Sequence, residues 1–326
     1  MARDATAATR AIRSGAVDEA RVFDVFDGIT YSKGGAVLSM LEQWIGEEAF
    51  QRGLAAYMKE RRMAPATAGD LWHHIGRAAN RPVTEVAASW TDQIGFPLVD
   101  AGAACESGRT VISLRQQRFT SSPNVPTSGP WRVPVRVARG DSVQTWLLDQ
   151  PQARFELPGC DDAPIVVNAG GRGFYRVRYS DELQQRLRRG FASFPAADRV
   201  ALLADSFALA MAGQQHLAQH FAWLAQVPQA AGDGRAPLFA QAASQLMQLD
   251  RTLHGTPAQQ GLRTAARSLL APELARLGWD EAANEDAESR RLRGVLIGAL
   301  AQFGDTDVTA RARERWRAAL APVGKA

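Results

Sequence analysis

The side chains in this sequence that could do chemistry are few: five histidines, two cysteines and four tyrosines. His216 and His220 are spaced i, i+4, which sets two imidazoles on one face of a helix. A zinc hydrolase built on that spacing needs a glutamate beside the first histidine as general base and a third ligand, a carboxylate. Here Leu217 stands where the glutamate would be, and no carboxylate follows in a suitable helix. The pair therefore reads as two surface histidines. His73 and His74 are adjacent and cannot chelate from one helix face, and His254 is isolated. Cys105 and Cys160 cannot build a metal site alone. A disulfide between them is open, with two reduced, packed thiols as the favoured reading. No Gly-x-Ser-x-Gly element is present, and neither cysteine has a partner histidine, so no serine or cysteine triad emerges. What remains is Tyr31, a phenol that could donate a hydrogen bond to a developing oxyanion. The competing reading of Tyr31 is a half-buried tyrosine with its hydroxyl at the surface.

The elements around Tyr31 decide how it is held. The stretch from Phe26 to Leu38 reads as a loop running into a helix, with Tyr31 just before the helix begins. Thr30 or Ser32 can cap that helix by accepting from its free amides. Ala36, Val37, Met40, Leu41, Trp44 and Ile45 then recur at helical spacing, and Gly46 is a stop. Tyr31 would sit on a packed element near the positive end of a helix.

The remainder of residues 1–98 also reads as helical. Ala5 to Ile12 is a weak helix broken at Ser14-Gly15. An amphipathic helix follows through Glu47, Phe50, Leu54 and Met58, with acids in its first turn. Thr67 opens a third helix with Asp70 in a capping-box position, and Thr84 starts a short one carrying Trp90. Short connections imply antiparallel neighbours.

At about residue 99 the pattern changes to short alternating or β-branched runs separated by Gly, Pro, Asn or Asp. These are Val111–Leu114, Trp131–Ala138, Val143–Leu148, Ala153–Leu157, Pro164–Asn168 and Phe174–Tyr179. Six or seven such runs suggest a small β-sandwich over residues 99–180. Pro134 argues for an edge strand or a bulge. The segment from Arg118 to Pro130 reads as a loop. The glycines between Asn168 and Phe174 lack the Gly-Lys-Ser/Thr ending of a phosphate loop and precede a strand, so they read as a hairpin turn with positive φ. From residue 181 to 326 the chain reads as helical, with helices at Leu183–Phe191, Val200–Ala210, His216–Val227, Pro237–Leu253, Pro257–Leu277, Ser289–Phe303 and Val308–Leu320. The acidic run from Asp280 to Glu288 reads as an exposed loop and helix start.

Composition excludes several function classes. The chain has 326 residues, enough for two or three domains. It is 46% hydrophobic and 22% charged, the balance of an ordinary globular protein. Lys33, Lys59 and Lys325 are its only lysines, so the formal charge of +4 rests on arginine, which reads as a GC-rich coding bias. No dense basic block is present, which argues against a nucleic-acid partner. No run of 18 apolar residues spans a membrane, and Met1-Ala-Arg-Asp-Ala-Thr has no apolar signal region.

The run Phe26-Asp27-x-Ile29-x-Tyr31-Ser32-Lys33-Gly34 resembles a motif of the M1 (gluzincin) family of zinc aminopeptidases. That family includes alanyl aminopeptidase and the endoplasmic-reticulum aminopeptidases. Further matches follow in family order: "GEEAFQRGLAAYMKER", "TAGDLW", "SWTDQIGFPLV", the asparagine–glycine segment leading to Phe174-Tyr175-Arg176-Val177, and "DRVALLADSFALAMAG". The resemblance implies a multi-domain fold of α and β: the helical end of a thermolysin-like catalytic domain (1–98), a small β-sandwich (99–180), and the first part of a solenoid-like helical domain (181–326). It implies a hinge through Trp90, Thr91, Gly95, Pro97 and Val99. It also implies that Tyr31 stabilises the tetrahedral intermediate opposite a zinc ion. The family's zinc motif and its Gly-x-Met-Glu-Asn strand lie upstream of the tyrosine motif and do not occur here. The expectation is therefore a portion of a zinc aminopeptidase with no metal ligand of its own, inactive in isolation, with peptides as substrates of the intact enzyme. Its expected partners are the upstream part or a second copy, met through a patch containing Trp44, Phe50, Trp72 and Trp90. The alternative is a non-catalytic scaffold that binds peptides or proteins. The cytoplasm is the expected compartment, with the periplasm the alternative.

Overall fold

The computed structural model describes residues 1–13, 15, 23–122, 125, 129–230, 232 and 234–320. The chain divides into two compact units, Met1–Gly190 with Ala208–His216, and Phe191–Phe207 with Leu217–Ala326. The fold is mixed, with eleven α-helices and two small sheets among the described residues. No described helix is long and apolar enough to cross a membrane.

The first unit opens with a short 3-10 turn, Arg3–Ala5, in place of the weak helix expected to Ile12. Thr6 turns extended (φ −103°, ψ 172°) and ends it. Of the expected break, Ser14 lies outside the described residues. A π-helical turn, Ile29–Lys33, runs directly into helix α1 (Gly34–Ile45). Val37, Met40, Leu41 and Trp44 are the buried stripe of α1, the spacing that one helix face allows. Helix α2 (Glu47–Glu60) follows at once through Gly46. Helix α3 (Ala68–Ala79) starts with the capping box seen in the sequence: the Asp70 amide donates to Thr67, and Asp70 accepts from the Thr67 amide. Helix α4 (Val83–Thr91) buries Val86, Ala87 and Trp90, and the Trp90 indole donates to the Arg132 carbonyl at 3.1 Å.

The four residues of the expected apolar patch differ in their burial. Trp44 and Trp90 are buried and Phe50 and Trp72 half-buried. Among the described residues of this region, the exposed large hydrophobic side chains are Phe23, Phe26, Tyr31, Leu54, Met58 and Met63.

Seven strands follow. Strands β1 (Pro97–Glu106), β2 (Arg109–Arg118), β5 (Gln152–Pro158) and β7 (Arg176–Tyr179) form one sheet in the order β5-β2-β1-β7. Strands β3 (Val133–Arg139), β4 (Ser142–Leu148) and β6 (Ile165–Val167) form the other, in the order β4-β3-β6. Hydrogen bonds tie the two: the Tyr179 hydroxyl donates to the Val167 carbonyl and accepts from its amide, both at 2.9 Å. Pro134 lies on the middle strand of its sheet, not an edge. Its missing N–H is tolerated because β6 pairs only with Val137–Arg139. The Asn168–Gly173 segment is not a hairpin. It carries the chain from one sheet into the other, where β7 pairs parallel with β1. The positive φ expected of its glycines is present at Gly170 and Gly171, and Asn168 shares it.

Cys105 and Cys160 form a disulfide, with Cα atoms 5.7 Å apart, which corrects the reading of two reduced thiols. The sheet brings them together. Cys105 pairs with Thr110 across β1–β2, and the Thr110 hydroxyl donates to the Gly159 carbonyl at 2.7 Å.

Helix α5 (Asp181–Gly190) closes the contiguous part of the first unit, and α6 (Ala196–Met211) has residues in both. The second unit is completed by α7 (Leu217–Leu224), α8 (Arg235–Thr252), α9 (Ala258–Leu277), α10 (Ala287–Gln302) and α11 (Thr306–Leu320). Some of its buried charges are held by ion pairs. Glu273 of α9, 1% exposed, is held by Arg235 and Arg276, each at 2.7 Å. Asp286 caps α10 by accepting from the Ser289 amide at 2.8 Å.

Candidate active-site turn

Tyr31 lies inside the π-helical turn, not in a loop before a helix. Neither Thr30 nor Ser32 caps α1, which has no side-chain cap. The capping carboxylate is one turn earlier: Asp27 Oδ1 accepts from the amides of Ile29 (2.9 Å) and Thr30 (3.1 Å). The helical register thus begins before Tyr31 and includes it. The Lys33 amide reaches back to the Gly28 carbonyl at 3.0 Å, the wide i→i−5 closure of a π turn.

That register orients the side chains. Ile29 and Lys33, four residues apart, point inward and are 3% and 1% exposed. Tyr31, between them, points the other way and is 60% exposed, its ring 6.1 Å from that of Phe26. Phe26 in turn lies 6.1 Å from Phe23. The phenol is presented to solvent, more openly than a half-buried tyrosine would be.

Two ionic anchors hold the ends of the turn. At its start, Arg10 Nη2 donates to Asp27 Oδ1 (2.7 Å), to the Thr30 hydroxyl (2.6 Å) and to the Val25 carbonyl (3.0 Å). Arg3 pairs with Asp27 Oδ2 at 3.0 Å. Burial works against the charge on Asp27, but the Thr30 and Ile29 amides and Arg10 outweigh it and hold its carboxyl below the usual range. At the end of the turn, Lys33 Nζ donates to the Gly95 carbonyl (2.8 Å) and pairs with Asp4 Oδ2 (3.1 Å). Burial pushes the Lys33 ammonium below its usual pKa, and Asp4 partly offsets this. Asp4 Oδ1 accepts from the Gly95 amide at 3.1 Å and from the Thr9 hydroxyl. Gly95 has φ +78°, and a Cβ there would stand 2.5 Å from Arg118 Nε.

Sequence reasoning singled out Tyr31 and did not identify Asp4, Arg10 and Lys33 as groups that hold its turn. One signal was available: Lys33 is among only three lysines in a chain that otherwise uses arginine.

The remaining candidates are dispersed. His73 and His74 have their rings edge-on at 5.7 Å on α3, and His74 Nε2 lies 3.3 Å from Glu60 Oε2. His220 is not a surface histidine. It is fully buried, its Nδ1 is 2.8 Å from the Ser206 hydroxyl, and burial lowers its pKa to about 4. His216 is exposed. Among the described residues, no group of three or more His, Cys, Asp or Glu is placed to hold a metal ion. The donors among the described residues do not fit the zinc ion on which M1 enzymes depend.

The Peptidase family M1 domain matches residues 1–90, and the ERAP1-like C-terminal domain matches residues 164–325. Aminopeptidase M1 of Arabidopsis thaliana is 32% identical over 326 aligned positions, covering 93% of this chain and 36% of the plant protein. Puromycin-sensitive aminopeptidase of Caenorhabditis elegans is 30% identical, covering 86% and 30%. Glutamyl aminopeptidase of Mus musculus is 37% identical over 207 positions, covering 59% and 21%. The chain thus spans between a fifth and about a third of the length of these relatives. The two matched domains together with this set of aminopeptidase relatives place the chain in the M1 aminopeptidase family.

Proposed function

We propose that this chain is a portion of an aminopeptidase that removes N-terminal residues from peptides. Tyr31 contributes the hydrogen bond to the scissile carbonyl oxygen as negative charge builds on it. The observation that carries this reading is the exposed phenol on a turn braced at both ends, since a donor fixed before the reaction needs no reorganisation during it. Strands β1–β7 are read as the family's small sandwich, and α6–α11 as the start of its helical domain. The disulfide supports an oxidising compartment over the cytoplasm.

The test has two arms. The chain alone should bind no stoichiometric zinc and release no aminocoumarin from aminoacyl substrates; one bound zinc with turnover would overturn that. In the zinc-loaded enzyme containing this segment, Tyr31→Phe should lower kcat by about 10²–10³-fold at unchanged metal content. An unchanged kcat would remove Tyr31 from the mechanism.

A further inference from the structure

We infer that Asp4 and Arg10 are positioning residues for Tyr31: from one short segment, they fix the two ends of the turn that aims the phenol. The inference gains catalytic meaning from the function proposed above, but its structural content stands apart from it.

The argument begins with what a five-residue π-helical turn lacks. Ile29–Lys33 closes with wide i→i−5 geometry, has no side-chain cap on α1, and carries two glycines, Gly34 and Gly35, immediately after it. Its own hydrogen bonds leave its aim soft, because π turns are rare and glycines add backbone freedom. An exposed side chain on such a turn gains little orientation from packing. Tyr31 touches Phe26, itself 59% exposed.

The orientation must then come from the inward side. Arg10 engages the first half of the turn through three acceptors on one nitrogen: the Asp27 carboxylate, the Thr30 hydroxyl and the Val25 carbonyl. Its other nitrogen, Nη1, donates to the Ala11 carbonyl at 3.0 Å, so the guanidinium is itself fixed to its own segment. Charge-assisted bonds of this kind are roughly twice as strong as neutral ones. Asp4 engages the last residue through Lys33, where both side chains are 1% exposed and water does not compete. Asp4 also accepts from the Gly95 amide, so the clamp ties the turn to the backbone leading into β1. With Ile29 and Lys33 held inward and four residues apart, the helical register leaves Tyr31 one outward direction.

A spectroscopic test separates aiming from mere stability. The full chain carries four tyrosines, of which Tyr175 and Tyr179 are buried in the sheet region and serve as internal references. With ring ¹³Cε labelling, the Tyr31 resonance is assigned by its loss in Tyr31→Phe. In Arg10→Gln and in Asp4→Asn, the Tyr31 resonance should move. Amide exchange at Thr30–Lys33 should accelerate by about tenfold or more. The Tyr175 and Tyr179 signals should stay in place. Arg10→Lys should recover part of the effect, because one ammonium keeps the charge but cannot reproduce the planar fork. If Asp4→Asn does not fold, the Arg10 pair decides. A Tyr31 resonance and Thr30–Lys33 protection unchanged in folded Arg10→Gln would overturn the inference. So would equal movement of all the tyrosine signals, which would mark a general loss of structure. No readout here involves turnover, so a Tyr31→Phe enzyme that keeps its rate would refute the proposed function and leave this clamp untouched.

Discussion

Lys33 Nζ lies 3.1 Å from Asp4 Oδ2, and both side chains are 1% exposed. A lysine buried so completely carries a desolvation penalty that only close partners can offset. Here the partners are one carboxylate and the Gly95 carbonyl. Removing either member leaves the other buried without its closest opposite charge. Lys33→Met and Asp4→Leu should each destabilise the chain by about 3–5 kcal/mol, and the double substitution should recover most of that loss. Chemical denaturation of the four proteins checks it. Additive losses in the double variant would show that the two charges do not act as a pair.

The disulfide closes a loop across a sequence separation of 55 residues. In the chain-entropy account, a loop of that length is worth about 4 kcal/mol, and measured values typically fall between ~2 and ~4. Reducing the chain, or replacing Cys105 and Cys160 together by serine, should lower the unfolding free energy by that amount. The native protein should titrate no free thiol until it is reduced. Two reactive thiols in the native protein would contradict this.

The His220 side chain is fully buried, and burial depresses its pKa from 6.5 to about 4. Nδ1 shares a hydrogen bond with the Ser206 hydroxyl and the buried Nε2 has no hydrogen-bond partner among the described residues, an arrangement tolerable only while the ring is neutral. The sign follows from linkage. Between pH 6.5 and about 4, the unfolded chain binds a proton that the folded chain refuses, so stability falls as pH falls through that window. The ceiling is about 3 kcal/mol, and above pH 6.5 the group contributes no pH dependence. Denaturant midpoints at pH 7.5 and 4.5 should differ more in the parent chain than in His220→Phe. Equal pH slopes would exclude His220 as a source.

How much of this was legible in the sequence depends on how local the cause is. The Thr67/Asp70 capping box and the helices after Asp181 are written in spacings of three and four residues, and they appear where the pattern puts them. Strand β1 is not legible in that way. Pro97–Glu106 contains four small residues, Ala101, Gly102, Ala103 and Ala104, and becomes a strand because β2 pairs on one side and β7, far along the chain, on the other. The same limit applies at the site. Tyr31 stands in a recognisable run, whereas the burial of Lys33 depends on Asp4 and Gly95, which reach it only after folding. His220 was read from its i, i+4 spacing with His216, yet what defines it is burial against Ser206 and the Phe207 ring, 5.2 Å away.

The turn between the two sheets offers a sharper test of packing. Gly173 is the glycine whose replacement should matter most in the Asn168–Phe174 cluster, because its amide donates to Asn168 Oδ1 at 2.8 Å and its carbonyl accepts from Asn168 Nδ2 at 3.2 Å. A Cβ at this position would stand 2.2 Å from Tyr175 Cε1 and 2.6 Å from Asn168 Oδ1. Tyr175 is 1% exposed and cannot swing away, and Asn168 holds its left-handed φ of 65° partly through those two bonds. Gly173→Ala should therefore act as overpacking and cost about 1–3 kcal/mol. Gly102→Ala is the control: a Cβ on that β1 residue meets nothing within 4 Å, so the substitution should be near neutral. Thermal unfolding of the two variants discriminates, and equal midpoints would mean that the Asn168–Tyr175 turn relaxes around the added methyl group.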